Sequence, residues 1–185
     1  MNIYDFDGTL YDGDSTFDFL KYSIQTHPEL IRFLPGMGLA GLQYLLKRFD
    51  KTAMKEQFYR IFAGYDAEGL LEEFWDKHEH KIFDWYPDGL HAETDIVISA
   101  SPEFLLEPIC ARLGIKTLMA SRVDPKTGKY TGLNCWGAEK VRRLEEQTGI
   151  TACDRFFSDS YSDTPLAKIA KEAYLIKKGQ ILPWE

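Results

Sequence analysis

Asp5 and Asp7 stand two residues apart in Asp5-Phe6-Asp7-Gly8-Thr9, after a short apolar run. Ser99 closes a second apolar run, Ile96-Val97-Ile98. Asp159 and Asp163 follow a third, and Lys140 opens the helical pattern before it. Carboxylates gathered at one place repel, and their ionised forms are costly without a cation. Magnesium resolves that conflict, because it takes oxygen ligands and keeps waters or a phosphate oxygen. A carboxylate can also attack phosphorus and form an aspartyl-phosphate. The attack is helped when a metal and Lys140 neutralise the phosphoryl oxygens. Asp7, on a nearby turn, is placed to protonate the leaving oxygen and later to deprotonate the hydrolytic water. Ser99 and the amides that follow it can hydrogen-bond phosphate at a strand-to-helix turn.

Each of these residues has a plainer reading. Asp5 alone fits a strand followed by an Asx-type turn. Asp159 and Asp163 alone are loop carboxylates, and Ser99 alone is a helix cap. Lys140 competes with Lys126, Lys129, Arg142 and Arg143, for each of which a solvated helix or turn surface suffices. It is preferred because it opens the helix after Gly137. Lys126-Thr127-Gly128 superficially resembles the phosphorylated-aspartate motif of ion pumps, but it falls in a turn.

Elements must bring these groups together. Met1 to Phe6 reads as a buried strand, so Asp5 sits at a strand's C-terminal end, where open α/β sheets place ligands. Residues 15–86 read as helical throughout, with Pro35 and the nearby glycines splitting one stretch. Amphipathic helices are expected over 52–62 and 66–82. Pro87-Asp88-Gly89 marks the exit. Thereafter strand and helix alternate: strands at 95–98, 117–123, 154–157 and 173–176, helices from Pro102, over 138–147 and over 164–172, and a hairpin turn at 125–129. That order predicts an α/β fold, a parallel sheet with helices on both faces. Residues 1–14 and 87–185 would form the core, and residues 15–86 a helical cap inserted after the first strand.

The 185 residues suit one domain with a modest insertion. Lys plus Arg total 22 against 29 Asp plus Glu, a net charge of -7 with no basic stripe, which argues against a nucleic-acid partner. Cys110, Cys135 and Cys153 are odd in number and widely spaced, against a disulfide scaffold or zinc site. No signal peptide is visible, and a reducing cytoplasm is the expected location. Leu30 to Leu46, LIRFLPGMGLAGLQYLL, is largely apolar. A buried or interfacial helical pair is the favoured reading, and a membrane-surface contact the alternative.

Asp5-Phe6-Asp7-Gly8-Thr9-Leu10 resembles the first motif of the haloacid dehalogenase-like phosphatases. Ile98-Ser99-Ala100-Ser101-Pro102 resembles the second, Lys140 the third, and Ser158-Asp159-Ser160-Tyr161-Ser162-Asp163 the fourth. The order is right and the motifs span nearly the whole chain. The resemblance implies a Rossmann-like core, Asp5 as nucleophile and Asp7 as general acid/base. It implies magnesium held by the Asp5 carboxylate, the Asp7 backbone carbonyl and Asp159, supported by Asp163. Gly8, Ser99, Ala100 and Lys140 would surround the phosphate. The helical insertion looks like the cap of the phosphoserine phosphatase subfamily, in which Asp14 would meet a substrate amino group. Arg60 in the cap could meet a substrate carboxylate. Phosphoserine phosphatases usually carry Ser-Gly-Gly where this chain has Ser99-Ala100-Ser101, and the Asn134-Cys135 stretch is similar to a branch that also resembles a bacterial phosphatidylglycerophosphate phosphatase.

A small phosphorylated metabolite such as phosphoserine is therefore the expected substrate, with a lipid phosphate as runner-up. Asp7, Asp159 and Asp163 argue against a halide-removing hydrolase, which needs none of them. A transport pump would have membrane spans and Thr at position 7. A non-catalytic module on the same fold remains the rival of another class.

Overall fold

β1 (Asn2–Tyr4) is three residues long and lies inside a six-stranded sheet. Its neighbours are β2 (Ile96–Pro102) and β4 (Cys153–Ser158), both parallel to it. β3 (Thr117–Ser121) lies outside β2, and β5 (Ala170–Lys177) and β6 (Gln180–Pro183) outside β4. The order is β3-β2-β1-β4-β5-β6, and only β6 is antiparallel. The computed structural model describes the backbone of residues 1–185 and every side chain except those of Pro87 and Asp88, so the exit turn expected there lies partly outside the described residues.

The central strands are short and apolar because both faces are covered. Tyr4, Val97 and Phe157 point to one face and pack with the helices of the insertion. Ile3, Ile96, Ile98 and Phe156 point to the other and pack with Leu144 and Leu166. Those two leucines belong to α6 (Ala138–Thr148) and α7 (Thr164–Ala167). α5 (Glu103–Arg112) joins β2 to β3 and begins after Pro102, as its sequence predicts.

Residues 15–90 are helical, in four α-helices with short tighter turns between them. These are α1 (Ser15–Thr26), α2 (Leu34–Leu45), α3 (Lys51–Tyr59) and α4 (Leu71–His78). A π-helical turn over Tyr86–Leu90 leads back to the sheet. The two ends of the insertion are pinned side by side: Asp12 N–H donates to the Lys81 carbonyl at 2.8 Å, and Phe83 N–H to the Leu10 carbonyl at 2.9 Å.

Three local expectations need correction. Pro35 does not split its stretch: it lies in the first turn of α2, where a missing N–H costs nothing. The helix expected over 164–172 ends at Ala167, since Ala170 already pairs with Cys153 in the sheet. Sheet pairing there outweighs the helix propensity of Ala-Lys-Glu-Ala. β6 was not anticipated. Lys178 and Gly179 both have positive φ and form a two-residue hairpin turn between Lys177 and Gln180.

Candidate active site

Lys140 is the side chain around which the site is built. It opens α6 after Gly137, whose φ of +59° and ψ of -127° suit glycine. Its side chain is 1% exposed, and its ammonium lies 3.1 Å from Asp5 Oδ1 and 2.7 Å from Asp163 Oδ2. A buried lysine would ordinarily lose its proton. Burial does push its pKa down, but Asp5 and Asp163 more than offset it and the net shift is upward. Ser158 Oγ donates to the same Asp163 oxygen at 2.9 Å, whereas Asp163 Oδ1 is buried without a protein partner.

Asp5 follows β1 directly, and its N–H donates to the Phe157 carbonyl of β4. Oδ1 accepts the Phe6 N–H at 2.8 Å. Burial lifts the carboxyl to about 7, Lys140 pulls it back, and Asp163 and Asp7 add to the rise. Asp7 is gripped at both oxygens. Oδ1 accepts the Ser15 N–H at the start of α1 at 2.6 Å, and Oδ2 accepts the Ser101 hydroxyl at 2.5 Å. Burial is again the largest influence on it, then Asp14, and together they raise it to about 6 against those two donors. Ser101 Oγ also meets Thr16 Oγ1 at 3.0 Å, so β2 and α1 jointly orient Asp7.

Asp159 follows β4, and its N–H donates to Thr9 Oγ1 at 2.9 Å. Its carboxylate lies over Gly8. A Cβ added at Gly8 would run into the Asp159 carboxyl, and Gly8 has a φ of +68°. Both facts require glycine. Burial, then Asp163, raises the Asp159 pKa. Among the described residues, no three carboxylate, imidazole or thiolate side chains form a closed metal cage. The oxygens present suit a hard ion that keeps waters: half-buried Asp5, exposed Asp159 and buried Asp163 line one cavity, and Asp163 Oδ1 has no protein partner.

That cavity encloses about 660 Å³ and is also lined by Gly8, Ser99, Ala100 and Lys140. Ser99 is buried, and its Oγ accepts the Ser101 N–H at 3.1 Å. The residues expected to handle phosphate thus share one wall. Asp14 lines the cavity too, while its Oδ1 caps α1 by accepting the Phe17 N–H at 2.9 Å. Arg60 is exposed, donates to Gln57 Oε1 at 3.1 Å, and is outside the cavity lining. The cations that α3 does bring to the cavity lining are Lys51, which is exposed, and Lys55. Lys55 Nζ donates to the Ala100 carbonyl at 3.1 Å, and burial lowers its pKa. Sequence reading passed over both, although Lys51, Met54, Lys55 and Phe58 form one helical stripe. Phe17, Leu20, Met37, Met54, Phe58 and Tyr59 give the lining its apolar part. The Lys126-Thr127-Gly128 turn has a supporting place: just beyond it, Tyr130 N–H donates to Glu56 of α3 at 3.1 Å.

Comparison with known proteins agrees with this arrangement. The family model for haloacid dehalogenase-like hydrolases matches residues 3–168. Protein CicA of Caulobacter vibrioides (strain NA1000 / CB15N) is 28% identical over 200 residues, covering 96% of this chain and 86% of its own. Histidinol-phosphatase of Neisseria meningitidis serogroup C (strain 8013) is 31% identical over 205 residues, covering 93% and 87%. A solved structure, a protein of unknown function from Bordetella pertussis Tohama I, superposes with a TM-score of 0.78 at 20% identity, covering 94% of this chain and 87% of that one. That last likeness speaks to the fold.

Proposed function

Because this chain belongs to the haloacid dehalogenase-like hydrolases, and is a phosphoric monoester hydrolase by that kinship, we propose that it cleaves a small phosphorylated metabolite with magnesium, through an aspartyl-phosphate on Asp5. The observation that carries the reading is the buried Lys140 ammonium shared between Asp5 and Asp163 at the strand ends. A cation placed there has little structural reason to be buried, since a packed apolar side chain would serve stability as well. It has a chemical one: it offsets phosphoryl charge beside the nucleophile.

In the proposed sequence an Asp5 carboxylate oxygen attacks phosphorus, and the bond from phosphorus to the ester oxygen breaks. Asp7 gives its proton to that oxygen. Water then attacks the acyl phosphate, Asp7 takes a proton back, and inorganic phosphate leaves. The Asp5 and Asp159 carboxylates and the Asp7 backbone carbonyl would hold magnesium, with Asp163 supporting it or its waters. The ion supplies charge neutralisation of the phosphoryl oxygens. Ser99 and the amide of Ala100 orient the phosphate. An upward-shifted Asp7 suits an acid that must carry its proton near neutral pH.

The cavity size and its apolar wall favour an ester whose organic part is larger and less polar than that of phosphoserine. A histidinol-phosphatase among the relatives supports the same class of substrate. The test is phosphate release by pure protein from p-nitrophenyl phosphate, histidinol phosphate and phosphoserine, with magnesium and then with chelator. Magnesium-dependent release, faster from the ring-bearing esters, is expected. No magnesium-dependent turnover of any of the three would reject the reading.

A further inference from the structure

α2 is an apolar helix with almost nothing over it. Of its twelve residues only Ala40 is buried, while Leu34, Leu39, Leu42 and Leu45 are 42%, 55%, 51% and 76% exposed. Ile31 before the helix and Leu46 after it extend the patch. Leu39, Leu42 and Leu46 recur at helical spacing and share a face. A surface of this kind is rare on a protein that stays in water. The helix is also poorly supported by its own sequence. Gly36, Gly38 and Gly41 lie inside it with open space around each, and glycine in an exposed helix is unfavourable. Whatever covers the leucines would stabilise the helix.

Charge says what that cover is. Between residues 30 and 49 there are three cations, Arg32, Lys47 and Arg48, and no carboxylate, in a chain whose net charge is -7. The cations sit at the two ends of the apolar stretch, where long side chains can reach a charged surface while the leucines go below it. A second copy of this chain would set these cations against their own duplicates. An anionic lipid surface would match them and accept the leucines together. Among the described residues no helix is long and apolar enough to cross a membrane, so α2 would lie on the surface. The same helix contributes Met37 to the lining of the active-site cavity, so patch and cavity share α2.

We propose that α2, with Arg32, Lys47 and Arg48, docks this protein onto an anionic lipid bilayer surface. The inference concerns where the protein sits and stands apart from which ester it cleaves.

Co-sedimentation with vesicles tests it, using phosphatidylcholine alone or with phosphatidylglycerol, at low and high salt. The protein is expected to pellet with the phosphatidylglycerol vesicles and to be released as salt rises. The double variant Leu39→Asp/Leu42→Asp, and separately Lys47→Glu/Arg48→Glu, should each weaken binding by about tenfold or more. Both should keep wild-type circular dichroism and wild-type turnover of p-nitrophenyl phosphate. If the leucine variant unfolds, the charge variant carries the test. Equal pelleting with and without phosphatidylglycerol would overturn the proposal. So would wild-type binding by the charge variant, or a dimer in light scattering that the leucine variant abolishes while no vesicle binding is seen.

Discussion

The Ser101 hydroxyl donates to Asp7 Oδ2 at 2.5 Å, tying the second strand's end to the carboxyl three residues beyond the first strand. Ser101 stands where phosphoserine phosphatases usually have glycine, so this contact adds a donor to Asp7, the residue proposed as general acid/base. It does two things. It fixes the carboxyl against rotation, and it stabilises the ionised form.

Ser101→Ala should therefore slow turnover without removing it. A hydrogen bond to a charged group contributes about 1.5–3 kcal/mol, which corresponds to roughly tenfold to a hundredfold in rate if it is fully used in the transition state. The loss should be larger for an alkyl phosphate, whose leaving oxygen needs a proton, than for p-nitrophenyl phosphate, whose leaving group does not. Because a donor to the carboxylate is gone, the pKa of Asp7 should move up. The limb of the pH–rate profile that reports Asp7 should follow it. Equal losses for both esters, with an unmoved profile, would make Ser101 a packing residue only.

Asp5→Asn and Asp7→Asn should separate the two carboxylates by role. The first is expected to leave no turnover above background and no phosphorylated protein after acid quench. The second should keep the nucleophile but slow leaving-group departure and hydrolysis by about 10²–10⁴-fold. Wild-type activity in either variant would remove the role assigned to that residue.

Gly8→Ala should damage cation binding as well as the backbone. Forcing a side chain into a left-handed conformation costs about 1–2 kcal/mol, and here the new methyl also displaces the Asp159 carboxyl. Gly149→Ala is the matched control. Gly149 has a φ of +71° as the cap of α6, but nothing lies within 4 Å of the added Cβ. Both variants should lose comparable stability from the φ angle in thermal melts. Only Gly8→Ala should weaken magnesium binding in titration calorimetry. Wild-type affinity in that variant would separate Gly8 and Asp159 from the ion.

What the sequence disclosed and what it hid follow one physical line. The polar residues that follow apolar runs are local signals: Ile96-Val97-Ile98 gives way to Ser99, although β2 itself runs on irregularly to Pro102, and Gly8 marks its own turn, so Asp5, Asp7, Ser99 and Asp159 could be placed from short windows. Lys140 needed only Gly137 before it. Lys51 and Lys55 were passed over because a lysine on a helix is ordinarily solvated, and only the tertiary fold brings them to the cavity lining and Lys55 to the Ala100 carbonyl of β2. β6 was hidden for a similar reason. Its four residues carry no periodicity of their own, and the Lys178-Gly179 turn signal is weak because positive φ at Lys178 is not written in its residue type. Pro35 misled because a proline within a helical pattern either breaks or begins it, and which one depends on what precedes it.

The half-buried carboxylates Asp5 and Asp7 make a prediction about stability that does not depend on activity. Asp5 is raised to about 7 and Asp7 to about 6, from ordinary values of 3.8. The folded protein therefore holds protons that the unfolded chain releases between about pH 4 and 7. Stability from these two groups is complete below pH 3.8 and is lost as pH rises through 6 and 7. A divalent cation does at high pH what the protons do at low pH, and it competes with them. Magnesium should accordingly raise the melting temperature more at pH 8 than at pH 5. Asp159→Asn should shrink the increment at pH 8 and leave the melt at pH 5 nearly unchanged. An increment of the same size at both pH values would show that these carboxylates do not hold the ion.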